Sequence, residues 1–171
     1  ICDHAAQTAA NQTGVPLKIL QAITRVETGR GRGDRLTPWP WTVNMEGQGV
    51  WFDSQAEAND YARTHFARGA RSFDVGCFQI NYRWHHAAFA SLETMFDPVE
   101  NALYAAKFPA HLRAAFGNCI QAAGAYHSRT PKYAQSYSKR FFDVLSALEN
   151  KIPRRPPVAP VAPLAPQTPH A

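Results

Sequence analysis

One glutamate, Glu27, combines an apolar helical setting with a position at the end of a predicted helix. It follows Leu20 and Ile23 at helical spacing and precedes a glycine- and arginine-rich stretch at 29–33. Apolar neighbours remove water from a carboxylate, and the C-terminal end of a helix is the negative end of its dipole. Both effects favour the protonated acid near neutral pH. Glu27 is therefore a candidate general acid, of the kind that protonates the leaving oxygen of a glycosidic bond.

Two further stretches place polar side chains beside apolar ones, in turns or at the ends of helices. Residues 74–81 read DVGCFQIN, and residues 123–128 read AGAYHS. Taken in order with Glu27-Thr28, these stretches resemble the three signatures of the soluble lytic transglycosylase family. Residues 38–44, PWPWTVN, are similar to a proteobacterial subgroup of that family. The resemblance covers about residues 2–148.

The resemblance implies a lysozyme-like fold and cleavage of the β-1,4 bond between N-acetylmuramic acid and N-acetylglucosamine in peptidoglycan. The product would carry a 1,6-anhydromuramoyl end, so no water is consumed. Glu27 would first protonate the leaving oxygen and then accept the proton of the sugar's own C6 hydroxyl. The substrate's N-acetyl group would stabilise the developing charge, a substrate-assisted form of glycoside cleavage.

A single acid suffices for this reaction, so no dedicated second carboxylate is expected. The nearest acidic candidates are Glu46, Asp53 and Asp74. We expect Glu46 to be a solvated turn residue and Asp74 to cap the turn that follows it. A carboxylate facing Glu27 across the sugar would instead favour a hydrolase of the goose-type lysozyme kind. A non-catalytic peptidoglycan-binding protein with the same cleft is a further alternative.

The resemblance also implies a set of substrate-binding residues, which are Thr28, Gly76, Phe78, Gln79, Asn81, Tyr126, His127, Ser128 and Tyr137. Tyr126 would hydrogen-bond Glu27 or the N-acetyl group. The chain departs from the family pattern where His127 replaces asparagine and Phe78 replaces methionine. Trp39 and Trp41 are additional candidates, because a flat apolar ring matches the C–H face of a sugar. Packing beneath a hairpin is the alternative for Trp41.

The patterning of apolar residues predicts a mainly α domain over 1–150, with a proline-rich extended tail over 151–171. Predicted helices cover about 3–12, 16–28, 54–68, 118–127 and 131–148, with another that opens at Asp97. Pro109 should kink or end that helix. Alternation around residues 47–49 predicts one small β-hairpin.

Three cysteines, Cys2, Cys77 and Cys119, allow one disulfide. The apolar setting of Cys77 suits a buried thiol, which leaves Cys2 and Cys119 as the candidate pair. A disulfide would indicate an oxidising compartment. The chain opens at Ile1 without a methionine, so we expect a mature or trimmed form. The family resemblance implies a location in the bacterial periplasm.

The 171-residue chain carries a formal net charge of +5, which fits a solvated basic surface or attraction to an anionic polymer such as the cell wall. Neither a lysine run nor an aromatic RNA-binding motif is present, and no stretch is long and apolar enough for a membrane span. Nucleic acid is therefore not expected as a partner, and the family resemblance implies peptidoglycan glycan strands.

Metal binding is a competing interpretation of the histidines and cysteines. The possible ligands are Cys2, His4, His85, His86, Cys119 and His127. Their spacing matches no usual zinc motif, so no metal or cofactor is expected. His85 and His86 are expected to cover a helix surface.

The tail at 153–171 is rich in proline, alanine and valine. An extended proline-rich arm docks on a partner at little ordering cost. It is expected either to recruit the protein to an envelope-spanning flagellar, secretion or pilus assembly, or to be disordered without a partner.

Overall fold

The computed structural model describes residues 1–31, 36–116 and 131–150. In these ranges the protein is mostly helical, with a small antiparallel sheet. The helices are α1 Cys2–Thr13, α2 Leu17–Thr28, α3 Gln55–Ala67, α4 Tyr82–His85, α5 Leu92–Phe96, α6 Pro98–Phe116 and α7 Pro131–Asn150. The strands are β1 Thr42–Met45, β2 Gln48–Trp51, β3 Phe73–Val75 and β4 Ile80–Asn81. The mainly α prediction is confirmed, whereas the predicted helix at 118–127 and the tail lie outside the described residues.

The helix ends follow the local signals in the sequence. Gly14 ends α1 in the left-handed conformation, with φ of 72°. Ser54 and Glu57 form the predicted capping box at the start of α3. At the start of α6, Asp97 Oδ1 accepts hydrogen bonds from two backbone amides, both at 2.9 Å. This helix runs through Pro109 to Phe116, so the proline does not end it.

The predicted hairpin is correct, but it forms only half of a four-stranded sheet with the order β2-β1-β3-β4. Glu46 and Gly47 connect β1 to β2 with φ of 52° and 96°, the positive values of a type I′ turn. Asn44 lies opposite Asp74, and Asp74 lies opposite Asn81. Residues directly opposite each other share one face of a sheet, so these three polar side chains form a row.

The β3–β4 turn is fixed from the interior by Asn101 of α6, which is fully buried. The side-chain amide of Asn101 donates to the carbonyls of Val75 at 3.1 Å and Met95 at 2.9 Å. Its Oδ1 accepts the backbone N–H of Phe78 at 2.9 Å. Gly76, with φ of 79°, lies so close that an added Cβ would be 2.7 Å from the Asn101 amide.

A disulfide joins Cys2, at the start of α1, to Cys77 in the β3–β4 turn, with Cα atoms 5.6 Å apart. The predictions of a Cys2–Cys119 bond and of a free thiol at Cys77 are therefore wrong. Cys77 is buried as predicted, but the turn that carries it packs against the first residue of α1. Cys119 lies outside the described residues.

The remaining core joins helices to the sheet. In the described part of the chain, α1 packs against α6 and α2 packs against α7. The largest buried side chains include Leu20 and Ile23 of α2, Phe73 of β3 and Phe141 of α7. None of the described helices is long and apolar enough to cross a membrane.

Candidate active site

A cleft of about 360 Å³ lies between the C-terminal end of α2 and the polar face of the sheet. Its described lining consists of Glu27, Thr42, Asn44, Gly47, Gly49, Trp51, Asp74, Gln79, Ile80, Asn81 and His85. Glu27 comes from the last turn of α2, as its spacing after Leu20 and Ile23 predicts. Most of the other lining residues come from the sheet or from the turns that connect its strands.

Glu27 is partly buried at the wall of the cleft, and its carboxyl group accepts a hydrogen bond of 2.7 Å from the Tyr137 hydroxyl. Burial raises the pKa of Glu27 from its ordinary value of 4.5 to about 7. The Tyr137 hydrogen bond lowers this pKa, the charge of Asp74 raises it, and the charge of Arg140 lowers it. Glu27 therefore exchanges its proton near neutral pH.

Asp74 faces the same cleft and does not cap a turn, so the prediction for this residue is wrong. Its carboxylate accepts hydrogen bonds from the side-chain amides of Asn81 at 2.7 Å and Asn44 at 3.0 Å. Burial raises the pKa of Asp74, whereas both hydrogen bonds lower it. The cross-strand register, which the sequence does not reveal, brings these side chains together. Asp74 is thus a second carboxylate in the cleft of Glu27, and the expectation that the reaction needs no dedicated second carboxylate stays a prediction.

Gln79, Asn81 and Tyr137 are predicted site residues that the structure does bring to the cleft or to Glu27. Gln79, with φ of 49°, donates from its side-chain amide to the carbonyls of Gly76 at 3.0 Å and Thr42 at 3.2 Å. It therefore braces the turn while it lines the cleft. Within the described part of the chain, the Oδ1 atoms of Asn44 and Asn81 are buried without hydrogen-bond partners.

Three other predicted substrate-binding residues are structural. Thr28 is fully buried, and its hydroxyl contacts the Thr24 carbonyl at 3.0 Å and accepts the Trp39 amide at 3.1 Å. Phe78 lies in the core, and Gly76 faces Asn101 instead of the cleft. The sequence motif locates the β3–β4 turn, but it does not show which of its side chains point into the cleft. Tyr126, His127 and Ser128 lie outside the described residues.

The tryptophan that lines the cleft is Trp51, which the sequence analysis missed. The described lining includes neither Trp39, whose indole N–H donates to the Phe52 carbonyl at 2.7 Å, nor Trp41, which packs against the core. Two-residue alternation through Gly47 and Gly49 ends at Trp51, which is the pattern that could have identified this face of the hairpin.

His85 also lines the cleft instead of only covering a helix surface. Its Nδ1 lies 2.9 Å from the Tyr104 hydroxyl, and burial lowers its pKa. Cys2 cannot be a metal ligand because it is part of the disulfide. Among the residues that the structure describes, no three His, Cys, Asp or Glu side chains form a cluster suited to a metal ion.

No protein-family model, curated protein or solved structure matches this chain. The chemistry of the cleft therefore carries the assignment of function.

Proposed function

We propose that the protein cleaves the β-1,4 bond between N-acetylmuramic acid and N-acetylglucosamine in peptidoglycan, with Glu27 as the general acid. The observation that carries this proposal is a carboxyl group with a pKa of about 7 at the wall of an open cleft. A group with this pKa both donates and accepts a proton near neutral pH, and such catalysis contributes on the order of 10²–10⁴-fold to a rate. The amide, hydroxyl and indole groups of the lining suit an amino sugar.

Cleavage without water is the first route. Glu27 gives its proton to the glycosidic oxygen as the bond from that oxygen to C1 breaks. The sugar's O6 then bonds to C1, and the C6 hydroxyl proton passes to Glu27, which restores the acid and leaves a 1,6-anhydro end. The Tyr137 hydroxyl, 2.7 Å from Glu27 Oε1, stabilises the carboxylate between the two transfers. By this route the protein would act as a lytic transglycosylase, and a lysozyme-like fold is part of the same proposal.

Cleavage with water is a second candidate, because Asp74 also faces the cleft. In a retaining glycosidase, a second carboxylate attacks C1 or stabilises its charge before water completes the reaction. Burial raises the pKa of Asp74 overall, and the hydrogen bonds that Asn44 and Asn81 donate to its two oxygens oppose this rise and favour the ionised form that this role requires. Water would then add its hydroxyl to C1 and return its proton to Glu27.

Product analysis by mass spectrometry on purified peptidoglycan separates the two routes. Anhydro products are lighter than hydrolysed products by one water. We expect anhydro products from the wild type, and a loss of about 10²-fold or more in rate for Glu27→Gln. Glu46→Gln is the matched control, since Glu46 is exposed on the hairpin turn.

The Asp74→Asn variant tests the second carboxylate. Unchanged formation of anhydro products in this variant would support the first route. Hydrated products from the wild type, lost in Asp74→Asn, would establish the hydrolase. Binding of glycan strands without any cleavage by the wild type would leave only the non-catalytic alternative.

A periplasmic location is part of the proposal. The Cys2–Cys77 disulfide supports an oxidising compartment, and the net charge of +5 supports attraction to anionic wall polymers. Detection of the protein only in the cytoplasmic fraction of its host would contradict this location.

The proline-rich segment 153–171 is proposed to dock on an envelope-spanning assembly protein. Pull-down from envelope extracts should lose one partner when this segment is deleted, while cleavage of purified peptidoglycan stays unchanged. Equal recovery of every partner would exclude the docking role.

A further inference from the structure

We propose that Trp51 is the stacking platform for the sugar ring beside the bond that is cleaved, and that it determines affinity for N-acetylglucosamine-containing β-1,4 glycans. This inference rests on the proposed function, and it assigns a substrate contact that the sequence motifs do not contain. Three observations carry it: the exposure of the indole, its hydrogen bond and the glycines beside it.

Trp51 lines the cleft and is 44% exposed. It belongs neither to the buried core nor to the half-buried residues packed against that core, which include Trp41 and Phe52. A large apolar ring at the wall of a polar cleft leaves apolar surface in contact with water, and a ligand with an apolar face would cover it. The position of Trp51 therefore indicates binding more than folding.

The indole is oriented by the helix that carries the acid. Its Nε1 donates to the carbonyl of Thr28 at 3.4 Å, and Thr28 directly follows Glu27 in the chain. The polar edge of the ring is thus directed to the end of α2. Glu27 and the carbonyl that binds the indole belong to the same turn of α2. A sugar that stacks on the indole therefore lies next to the proton donor.

The hairpin leaves room around the ring, because Gly47 and Gly49 line the same wall. A Cβ added at Gly49 would lie 3.6 Å from the Cη2 atom of Trp51, so the glycine borders the indole directly. A flat ring flanked by residues without side chains forms a shallow shelf. The C–H face of a pyranose fits such a shelf, while its hydroxyl and N-acetyl groups extend toward the polar side chains of the sheet.

The test measures binding in a Glu27→Gln parent, so that cleavage does not interfere. The probe is the tetramer of β-1,4-linked N-acetylglucosamine, and its binding is measured by tryptophan fluorescence and by calorimetry. Trp51→Ala in this parent should weaken binding about tenfold, the loss expected for one aromatic stacking contact. Trp51→Phe should retain most of the affinity and should lose most of the fluorescence change. Trp41→Phe, which alters a tryptophan outside the described lining, should retain both.

Two results would overturn the inference in distinguishable ways. If Trp51→Ala bound the tetramer with an affinity within about twofold of the parent's, the stacking role would be excluded and the proposed function would stay intact. Failure of the parent to bind either the tetramer or soluble peptidoglycan strands would overturn both. Thermal unfolding of Trp51→Ala close to that of the parent is expected, and a large loss of stability would assign Trp51 to folding instead.

Discussion

The proton affinity of Glu27 results from opposing effects of its neighbours. Burial of its carboxyl group and the charge of Asp74 raise the pKa, whereas the Tyr137 hydroxyl and the charge of Arg140 lower it. Arg140 is also held in place, since its guanidinium donates to the Val26 carbonyl at 3.1 Å. A net pKa of about 7 suits the proposed reaction, in which the same group would act first as an acid and then as a base.

Replacing Tyr137 by phenylalanine should move the alkaline limb of the pH–rate profile to higher pH, by about half a pH unit or more. The reason is that the hydroxyl stabilises the ionised form of Glu27, so its loss raises the pKa further. The initial rate of turbidity loss of purified sacculi, followed from pH 5 to pH 9, would measure this limb.

Two further variants belong in the same pH–rate experiment. Arg140→Met should shift the limb in the same direction, because it removes a positive charge near Glu27. Lys139→Met is the control, since Lys139 is exposed and pairs with Asp143. An alkaline limb at the same pH in Tyr137→Phe would contradict the assignment of Tyr137 as the partner that tunes Glu27.

Glu27 should also make the stability of the protein depend on pH. Its pKa rises from 4.5 in the unfolded chain to about 7 in the folded one, so the folded state holds the proton more tightly. Stability is therefore greatest below the unfolded value and is lost as the pH rises through 7. Glu27→Gln does not titrate, and its stability relative to the wild type should be greater at pH 8 than at pH 4 by roughly 1–3 kcal/mol. Denaturant unfolding of both proteins at pH 4 and at pH 8 would measure this. If the stability difference between the two proteins were the same at both pH values, the raised pKa of Glu27 would be contradicted.

Residue types and spacing were enough to propose Glu27 as a candidate acid, but they did not show which way the side chains around it point. The apolar spacing before Glu27 gives its environment directly. The orientation of Asp74 depends on strand register, and the Thr28 hydroxyl contacts Trp39, which follows it in the chain beyond the end of α2. The paired tryptophans Trp39 and Trp41 are the stronger aromatic signal in the sequence, and only the alternation within the hairpin indicates Trp51.

Among the structural elements, α6 supports the floor of the cleft through one side chain. Its Asn101 side chain binds the Val75 carbonyl and the Phe78 amide of the β3–β4 turn, and it also binds the Met95 carbonyl of α5. Asp74, Gln79 and Asn81 all lie in or beside this turn. The geometry of the cleft therefore depends on a residue that does not reach it.

Asn101→Ala should lower the free energy of unfolding by about 2–4 kcal/mol, because it leaves buried backbone groups without partners. Denaturant unfolding would measure this loss. Asn59→Ala is the matched control: Asn59 is also buried, yet its Oδ1 has no hydrogen-bond partner among the described residues. A cost for Asn101→Ala no larger than that for Asn59→Ala would contradict the bracing role.

Local sequence signals explain which elements were predictable. The capping box at Ser54, the αL glycine at 14 and the apolar spacing of α2 each specify structure within a few residues. Strands β3 and β4 have only three and two residues, too few to show an alternating pattern. β3 depends on pairing with β1, β4 depends on pairing with β3, and the turn between them depends on Asn101. β1 and Asn101 are both distant from this turn in the sequence.

In the molecule as a whole, the Cys2–Cys77 disulfide links the start of the chain to the turn beneath the cleft. The bond closes a loop of 75 residues, so it removes considerable freedom from the unfolded chain. Helix α1, which packs against α6, is thereby anchored at its first residue.

Removing this disulfide with Cys2→Ser/Cys77→Ser should lower the free energy of unfolding by about 3–4 kcal/mol. Guanidinium unfolding of the purified protein would measure the loss, and peptide mapping without reduction would identify the linked peptides. Cys119→Ser is the control and should unfold like the wild type. A crosslinked peptide that contains Cys119 instead of Cys77 would contradict the observed pairing.

The hydrogen bond between Tyr137 and Glu27 joins residues 110 positions apart. During synthesis Glu27 is added to the chain long before Tyr137, because chains are made from the N-terminal end. Any nascent or truncated chain that stops before α7 would carry Glu27 without the hydroxyl that tunes it. The lowering of the Glu27 pKa by this hydroxyl would then arise only after α7 has been synthesised and packed.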